Sequence, residues 1–119
     1  MKESILKQKT YSFALKVINV YKQIVAEHKE YVLSKQFLKA GTAPGGLVRE
    51  AEFAQSKPDF ISKLSIGLKE ANECEYWTLL LKDSDYISLE TAADLLTNNK
   101  EIIYMLISSV NTAKSNLNK

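Results

Sequence analysis

The chain has 119 residues, with sixteen basic and fourteen acidic side chains and a formal net charge of +2. This length fits one domain, and so small a net charge is not a nucleic-acid signature. Four glycines and two prolines are too few for an all-β fold, which needs many turns. The single cysteine, Cys74, excludes an intrachain disulfide.

The first amphipathic segment predicts a helix over about residues 10–28. Thr10 is placed to cap its start, so residues 1–9 are expected to form a lead-in or a short extra turn. Its apolar side chains recur at three- and four-residue steps and share one face: Phe13, Val17, Tyr21, Ile24 and Val25.

The second segment predicts a helix over about residues 32–56, although its middle reads AGTAPGG. Pro44 removes a backbone donor and crowds the carbonyl of Ala40, which leaves two alternatives: a break near Pro44 or one long kinked helix. The kinked helix is favoured because apolar residues stay in phase from Ala40 to Leu47. Gly41 and Gly45 lie four residues apart, so a neighbouring backbone could approach them closely.

The third and fourth helices are predicted over about residues 58–82 and 88–115. Pro58 suits a first helical turn, and Asp59 lies where the helix dipole favours negative charge. Ser88 gives the fourth helix a start signal, whereas Asn98 and Asn99 mark a weak point within it.

Short connections between four amphipathic helices predict a single-domain, all-α fold, an antiparallel up-and-down four-helix bundle. The apolar faces of the third and fourth helices are wider than one core needs, which predicts burial against another subunit. The apolar run at residues 102–107 is too short to span a bilayer. We therefore expect a soluble, cytoplasmic homo-oligomer with no membrane partner.

No catalytic motif is apparent. One histidine and one cysteine cannot form the usual di-iron or zinc sites. The glycine-rich stretch also lacks the Gly-Lys-Ser/Thr ending of a phosphate loop. The chain is therefore expected to be no enzyme and to hold no metal or cofactor.

Several charged and aromatic residues of the second and third helices are candidates for contacts with partners. Glu50, Glu70 and Glu73 lie beside apolar neighbours, where carboxylates need partners such as Arg49, Lys63 and Lys69. Tyr76 and Trp77 could belong to the core or to a protein interface, or could stack on single-stranded bases.

The order and spacing of several motifs are similar to those of a known family. The residues that carry the resemblance are EYVLSKQFLKAGT at 30–42, VREA at 48–51, QSKPDFISKLSI at 55–66, LKEA at 68–71 and EYWTLL at 75–80, together with FAL at 13–15 and VYK at 20–22. Nearly the whole chain resembles the bacterial four-helix-bundle proteins named for intervening sequences in 23S ribosomal RNA genes. Pro44 and Leu47 depart from the aliphatic residue and the Asn that are usual there.

The resemblance implies an antiparallel bundle assembled as a ring-shaped homopentamer, with an undefined role in interaction or assembly. A related group resembles the accessory protein of diversity-generating retroelements. This resemblance implies an alternative function, that of an accessory protein that binds RNA or a nucleoprotein. The interface or nucleic-acid-binding positions carried over are Lys39, Arg49, Glu50, Lys63, Glu70, Glu73, Tyr76 and Trp77.

Overall fold

The computed structural model describes residues 2–117, with the side chains of residues 5–117. Its four helices are α1 (Lys2–His28), α2 (Leu33–Ala51), α3 (Lys57–Asp83) and α4 (Leu89–Leu117). The described residues contain no strand, which confirms the prediction of an all-α fold with four helices. Met1, Asn118 and Lys119 lie outside the described residues.

The helices pack side by side in the order in which the chain visits them. Helix α2 contacts α1 and α3, α4 contacts α3, and α4 returns to contact α1. Within the described residues, α1 does not closely approach α3, nor α2 α4, so these pairs lie diagonally across the core. The largest fully buried apolar side chains are Phe37, Ile24, Leu81, Leu95, Ile102, Leu106 and Val17.

Helix α1 begins earlier than its sequence predicts. It starts at Lys2 rather than near Thr10, and Thr10 caps nothing. Its hydroxyl donates to the carbonyl oxygen of Leu6 at 2.8 Å, one turn back in the same helix. Leu6 is buried in the core, and this tertiary contact favours the extra turns over a disordered lead-in.

Helix α2 runs through Pro44 without a break and ends at Ala51, five residues before the predicted Ser56. Pro44 is fully buried, so packing contacts offset the hydrogen bond that its ring removes. Ser56 cannot belong to α2 because its backbone is extended and its hydroxyl accepts from the Asp59 amide at 3.1 Å, which caps α3.

Two further starts show how polar side chains satisfy helix ends. The carboxylate of Glu30 accepts from the amides of Val32, Leu33 and Ser34 at 2.8–2.9 Å and so caps α2 from outside the helix. Desolvation alone would raise the pKa of Glu30, but these hydrogen bonds outweigh it and lower that pKa. The Ser88 hydroxyl accepts from the Thr91 amide at 3.0 Å, as its start signal predicts.

The predicted weak point in α4 is a buried contact. The helix is continuous across Asn98 and Asn99. Asn99 is buried, and its Nδ2 donates to the carbonyl oxygen of Ala71 in α3 at 2.8 Å. No helix in the described part of the chain is long and apolar enough to cross a membrane.

Candidate interaction surface

The eight candidate residues lie on two helices that pack against each other. Three are on α2 and five are on α3, and none is fully buried. The two helices bring some of them together and keep others apart.

Glu50 and Lys63 form one pair across the contact between α2 and α3. The Nζ of Lys63 lies 3.4 Å from Oε1 of Glu50. Both belong to a shallow depression that also includes Asp59 and Phe53. The Phe53 side chain is 84% exposed, so this end of the α2–α3 contact offers an uncovered aromatic ring beside mixed charges.

Lys39, Glu70 and Glu73 form a second group, farther along the same two helices. Desolvation raises the pKa of Glu70, and the neighbouring negative charge of Glu73 raises it further. Lys39 and Lys69 oppose this rise. The third helix therefore presents two like charges one turn apart, which is unfavourable in an isolated helix.

Tyr76 and Trp77 differ in their surroundings although they are adjacent. Their rings meet edge to face, with centroids 5.2 Å apart. Trp77 is half-buried and packs against the core, whereas Tyr76 is 57% exposed. The ring of Tyr76 therefore remains accessible to a partner, while Trp77 contacts it from the side of the core.

Arg49 does not join the ion pairs on α3. Its guanidinium lies over the ring of Tyr11 in α1, 5.8 Å from the ring centroid. Arg49 and Glu50 are consecutive, so a helix directs their side chains about 100° apart. Glu50 therefore reaches α3 and Arg49 reaches α1.

The sequence interpretation missed several exposed apolar side chains that lie off the core stripes. Tyr11 and Leu15 lie on α1, and Ile66 and Leu79 lie on α3; all four are at least 36% exposed. Tyr11 and Leu15 are four residues apart, so one turn of helix places them on a common face. That spacing, out of phase with the core stripe, was the signal available in the sequence.

Two residues with chemically reactive side chains, Cys74 and His28, pack within the fold: Cys74 is buried and His28 contacts an aromatic ring. Burial raises the pKa of Cys74 to about 12, against a lowering by its hydrogen bond with Thr78. The ring of His28 packs edge to face on Tyr86, with centroids 5.2 Å apart. Among the described side chains, no three His, Cys, Asp or Glu residues are grouped so that they could hold a metal ion.

A cavity of about 230 Å³ lies near the start of α1 and the end of α4. Its floor is apolar, with Leu6, Phe60 and Leu64, and hydroxyl groups of α4 form part of its wall. Its one charged wall residue, Glu52, is paired with Lys7 at 2.9 Å. None of the eight candidate residues lines this cavity, so it is separate from the α2–α3 surface.

Comparison with known proteins identifies the family of this fold. Residues 2–108 match the family model described as 23S rRNA-intervening sequence protein. A crystal structure of a protein of unknown function from the S23 ribosomal protein family of Bacteroides thetaiotaomicron is 48% identical, with a TM-score of 0.91. The match covers 93% of this chain and 99% of that one. No curated protein matches the chain significantly. Because the family model matches most of the chain, residues 2–108, the chain belongs to the 23S rRNA-intervening sequence protein family.

Proposed function

We propose that this chain is a non-enzymatic interaction and assembly module that self-associates in the cytoplasm. Its helices run alternately up and down as an antiparallel bundle, and its assembly is a homopentamer, as the family resemblance implies. The observation that carries the proposal is the set of large apolar side chains left uncovered on the outer faces of α1 and α3. Tyr11, Leu15, Ile66, Tyr76 and Leu79 are all exposed.

Contacts between helices support the alternating directions. Near one end, Lys7 of α1 pairs with Glu52 just after α2, at 2.9 Å. Along α1 and α4, Lys9 pairs with Glu101 and Lys16 pairs with Asp94. The partner's number falls as the α1 number rises, as expected for neighbouring helices that point in opposite directions.

The exposed apolar side chains support an interaction role. Single exposed hydrophobic residues are normal, but apolar residues grouped on one face are typical of protein–protein interfaces. Tyrosine is enriched at such interfaces, because its ring buries a large area while its hydroxyl tolerates water. Tyr11 and Tyr76 each supply such a ring, one on α1 and one on α3.

The surroundings of the reactive side chains support a non-enzymatic role. A thiol must ionise to act as a nucleophile, and the raised pKa of Cys74 keeps it protonated at neutral pH. The half-buried carboxyl of Glu70 lies beside the charged side chains of Glu73, Lys39 and Lys69. These groups therefore contribute to packing and surface charge rather than to a reaction.

Sedimentation equilibrium of the purified full chain tests the proposal. We expect the measured mass to be several times the 13.4 kDa of one chain. A closed ring of five copies would give about five times that mass. A monomer at concentrations up to the high micromolar range would overturn self-association. A dimer or tetramer would retain the module and reject only the pentamer.

One observation favours RNA binding as a second candidate. The Arg49 guanidinium over the exposed Tyr11 ring resembles the basic and aromatic groups on which single-stranded bases stack. Fluorescence anisotropy with a labelled single-stranded RNA tests it. Binding at micromolar protein that weakens steeply with added salt and is lost in Tyr11→Ala would favour this candidate; equal binding by Tyr11→Ala would reject it.

A further inference from the structure

The core stripe of α4 changes in character near the end of the helix. Residues at three- and four-residue steps share one face of a helix, and on this face the large side chains of Ile102 and Leu106 are buried. The same stripe then continues with Ser109, Ala113 and Asn116. Small and polar side chains therefore lie where a continuous core would be expected to receive large apolar ones.

The cavity near the start of α1 lies beside this part of α4. Its wall includes Ser109 and Ala113, and its floor includes Leu6 and Leu64, which are only 4% and 2% exposed. The floor is therefore part of the packed core. Protein interiors are normally close-packed, and an unfilled void is destabilising. A small molecule bound here would gain apolar contacts that the chain itself does not supply.

The volume of the cavity sets the size of its ligand. The cavity measures about 230 Å³, and an apolar protein cavity of about 150 Å³ is large enough to bind benzene. The cavity of this chain therefore has room for a six-membered ring with a short substituent. Its floor of Leu6, Phe60 and Leu64 favours an apolar ring, because burial of apolar surface stabilises the bound state.

The charges around the cavity favour an uncharged ligand. Glu52 is the one charged lining residue among the described side chains. Both oxygens of its carboxylate lie close to Nζ of Lys7, at 2.9 and 3.1 Å, so this charge is already compensated. A charged ligand would lose its hydration on entering and would find no unpaired opposite charge, which is unfavourable.

The α4 side of the cavity provides a place for one polar group of the ligand. Ser109 and Thr112 both line the wall, and a hydroxyl can donate and accept a hydrogen bond. Elsewhere in the described part of the chain, Thr42 and Thr78 donate their hydroxyls to the carbonyl oxygen one turn back. Ser109 and Thr112 do not form this bond, so their hydroxyls are available to a ligand.

We propose that this cavity binds a small uncharged molecule that has a ring-sized apolar body and one hydroxyl group. The apolar body lies on the floor formed by α1 and α3, and the hydroxyl points to Ser109 and Thr112 of α4. Every lining residue comes from a single copy of the chain. The site therefore does not depend on the self-association proposed above, and the two proposals can fail separately.

Titration of the purified full chain with benzyl alcohol, followed by saturation-transfer NMR, tests the proposal. We expect saturable binding with a dissociation constant on the order of 1 mM, since a ligand of about eight non-hydrogen atoms gains limited affinity. Benzoate and benzylammonium carry a charge on the same ring and should bind about tenfold more weakly or worse. The proposal is overturned if benzyl alcohol shows no saturable binding at tens of millimolar, or if either charged probe binds as tightly.

A cavity-filling variant shows where the probe binds. Ala113→Leu places a larger side chain in the cavity and should abolish binding while the circular dichroism spectrum stays unchanged. Ala93→Leu makes the same substitution at an exposed position of α4 outside the cavity and should bind like the unaltered chain. Ser109→Leu is the second filling variant if Ala113→Leu unfolds the chain. Undiminished binding in a folded filling variant would place the probe elsewhere and reject this site.

Removal of the wall hydroxyls tests the orientation of the ligand. Ser109→Ala with Thr112→Val should weaken the binding of benzyl alcohol about fivefold, the effect of one lost hydrogen bond. Binding of toluene, which has the ring without the hydroxyl, should stay unchanged. Equal weakening of both probes would reject the assigned hydroxyl contact. If the unaltered chain sediments as a monomer and still binds benzyl alcohol, self-association fails while this inference stands.

Discussion

Two helix contacts, α1 with α2 and α3 with α4, depend on different kinds of residue. Helix α2 places Gly41 against Val17, where an added Cβ would lie 2.6 Å from Val17 Cγ2. Helix α4 places the amide of Asn99 against the carbonyl oxygen of Ala71. The first contact depends on a missing side chain, whereas the second depends on a polar one within an apolar core.

The polar contact is the more sensitive to charge. The Nδ2 of Asn99 has its partner, whereas its Oδ1 has no partner among the described residues. Asn99→Asp would place a carboxylate beside the Ala71 carbonyl with no donor. We expect about 3 kcal/mol or more to be lost from the free energy of unfolding at neutral pH, measured by urea titration.

The pH dependence of Asn99→Asp distinguishes charge from shape. Burial should raise the pKa of the introduced carboxyl above its unfolded value. The folded state then favours the protonated acid, so the loss should be smallest below the unfolded pKa and should grow as pH rises through it. Asn99→Leu, of similar size, should be nearly neutral, because it removes a donor and an unpartnered acceptor together. An equal loss for both variants at all pH values would show that packing, not charge, decides this position.

The glycine contact should be the next most sensitive. Gly41→Ala would force its Cβ against both γ-carbons of Val17, at 2.6 and 2.8 Å, and Val17 is fully buried and cannot move aside freely. Overpacking of this kind costs about 1–3 kcal/mol, which exceeds the gain of up to about 1 kcal/mol from better helix propensity. Val17→Ala should make the cost of Gly41→Ala smaller, and strictly additive effects in a double-mutant cycle would exclude this clash as the cause.

Gly46 is the matched control on the same helix. An added Cβ there meets no atom within 4 Å, and its φ is not positive. Gly46→Ala should therefore raise the free energy of unfolding by about 0.5–1 kcal/mol, opposite in sign to Gly41→Ala. A loss at Gly46 would mean that α2 needs its glycines for a reason other than the contact with Val17.

The sequence predicts the helices well where local signals set them. Pro58 and Asp59 indicate the start of α3, and apolar spacing identifies all four helices. It fails where a distant contact overrides the local signal. Leu6 extends α1 because the core receives its side chain, a tertiary contact that neighbouring residues do not reveal. Helix α2 continues through the buried Pro44, as the unbroken apolar phase from Ala40 to Leu47 predicts.

The eight candidate residues stay a prediction as a binding surface, and the structure shows only which of them contact one another or other residues. The pair Glu50–Lys63 was among the contacts expected for the carboxylates of α2 and α3. The contact of Arg49 with Tyr11 was not, because it depends on which side of α2 faces α1. Glu30 shows the same limit, since a carboxylate three residues before a helix caps it only if the connecting turn brings it back.

The smallest change in stability is expected on the outer side of α3, where the charged side chains lie outside the core. The pKa of Glu70 is raised by desolvation and by Glu73, so its charged form is disfavoured in the folded state. The folded pKa lies above the unfolded one, and this group therefore costs stability as pH rises through that range. Glu70→Gln should raise the free energy of unfolding at neutral pH by about 0.5 kcal/mol or less, because solvent still screens this half-buried carboxylate. The gain should vanish below the ordinary pKa of a glutamate, where Glu70 is protonated in both states. Under monomeric conditions, a stability loss at neutral pH would mean that Lys39 and Lys69 outweigh the repulsion from Glu73.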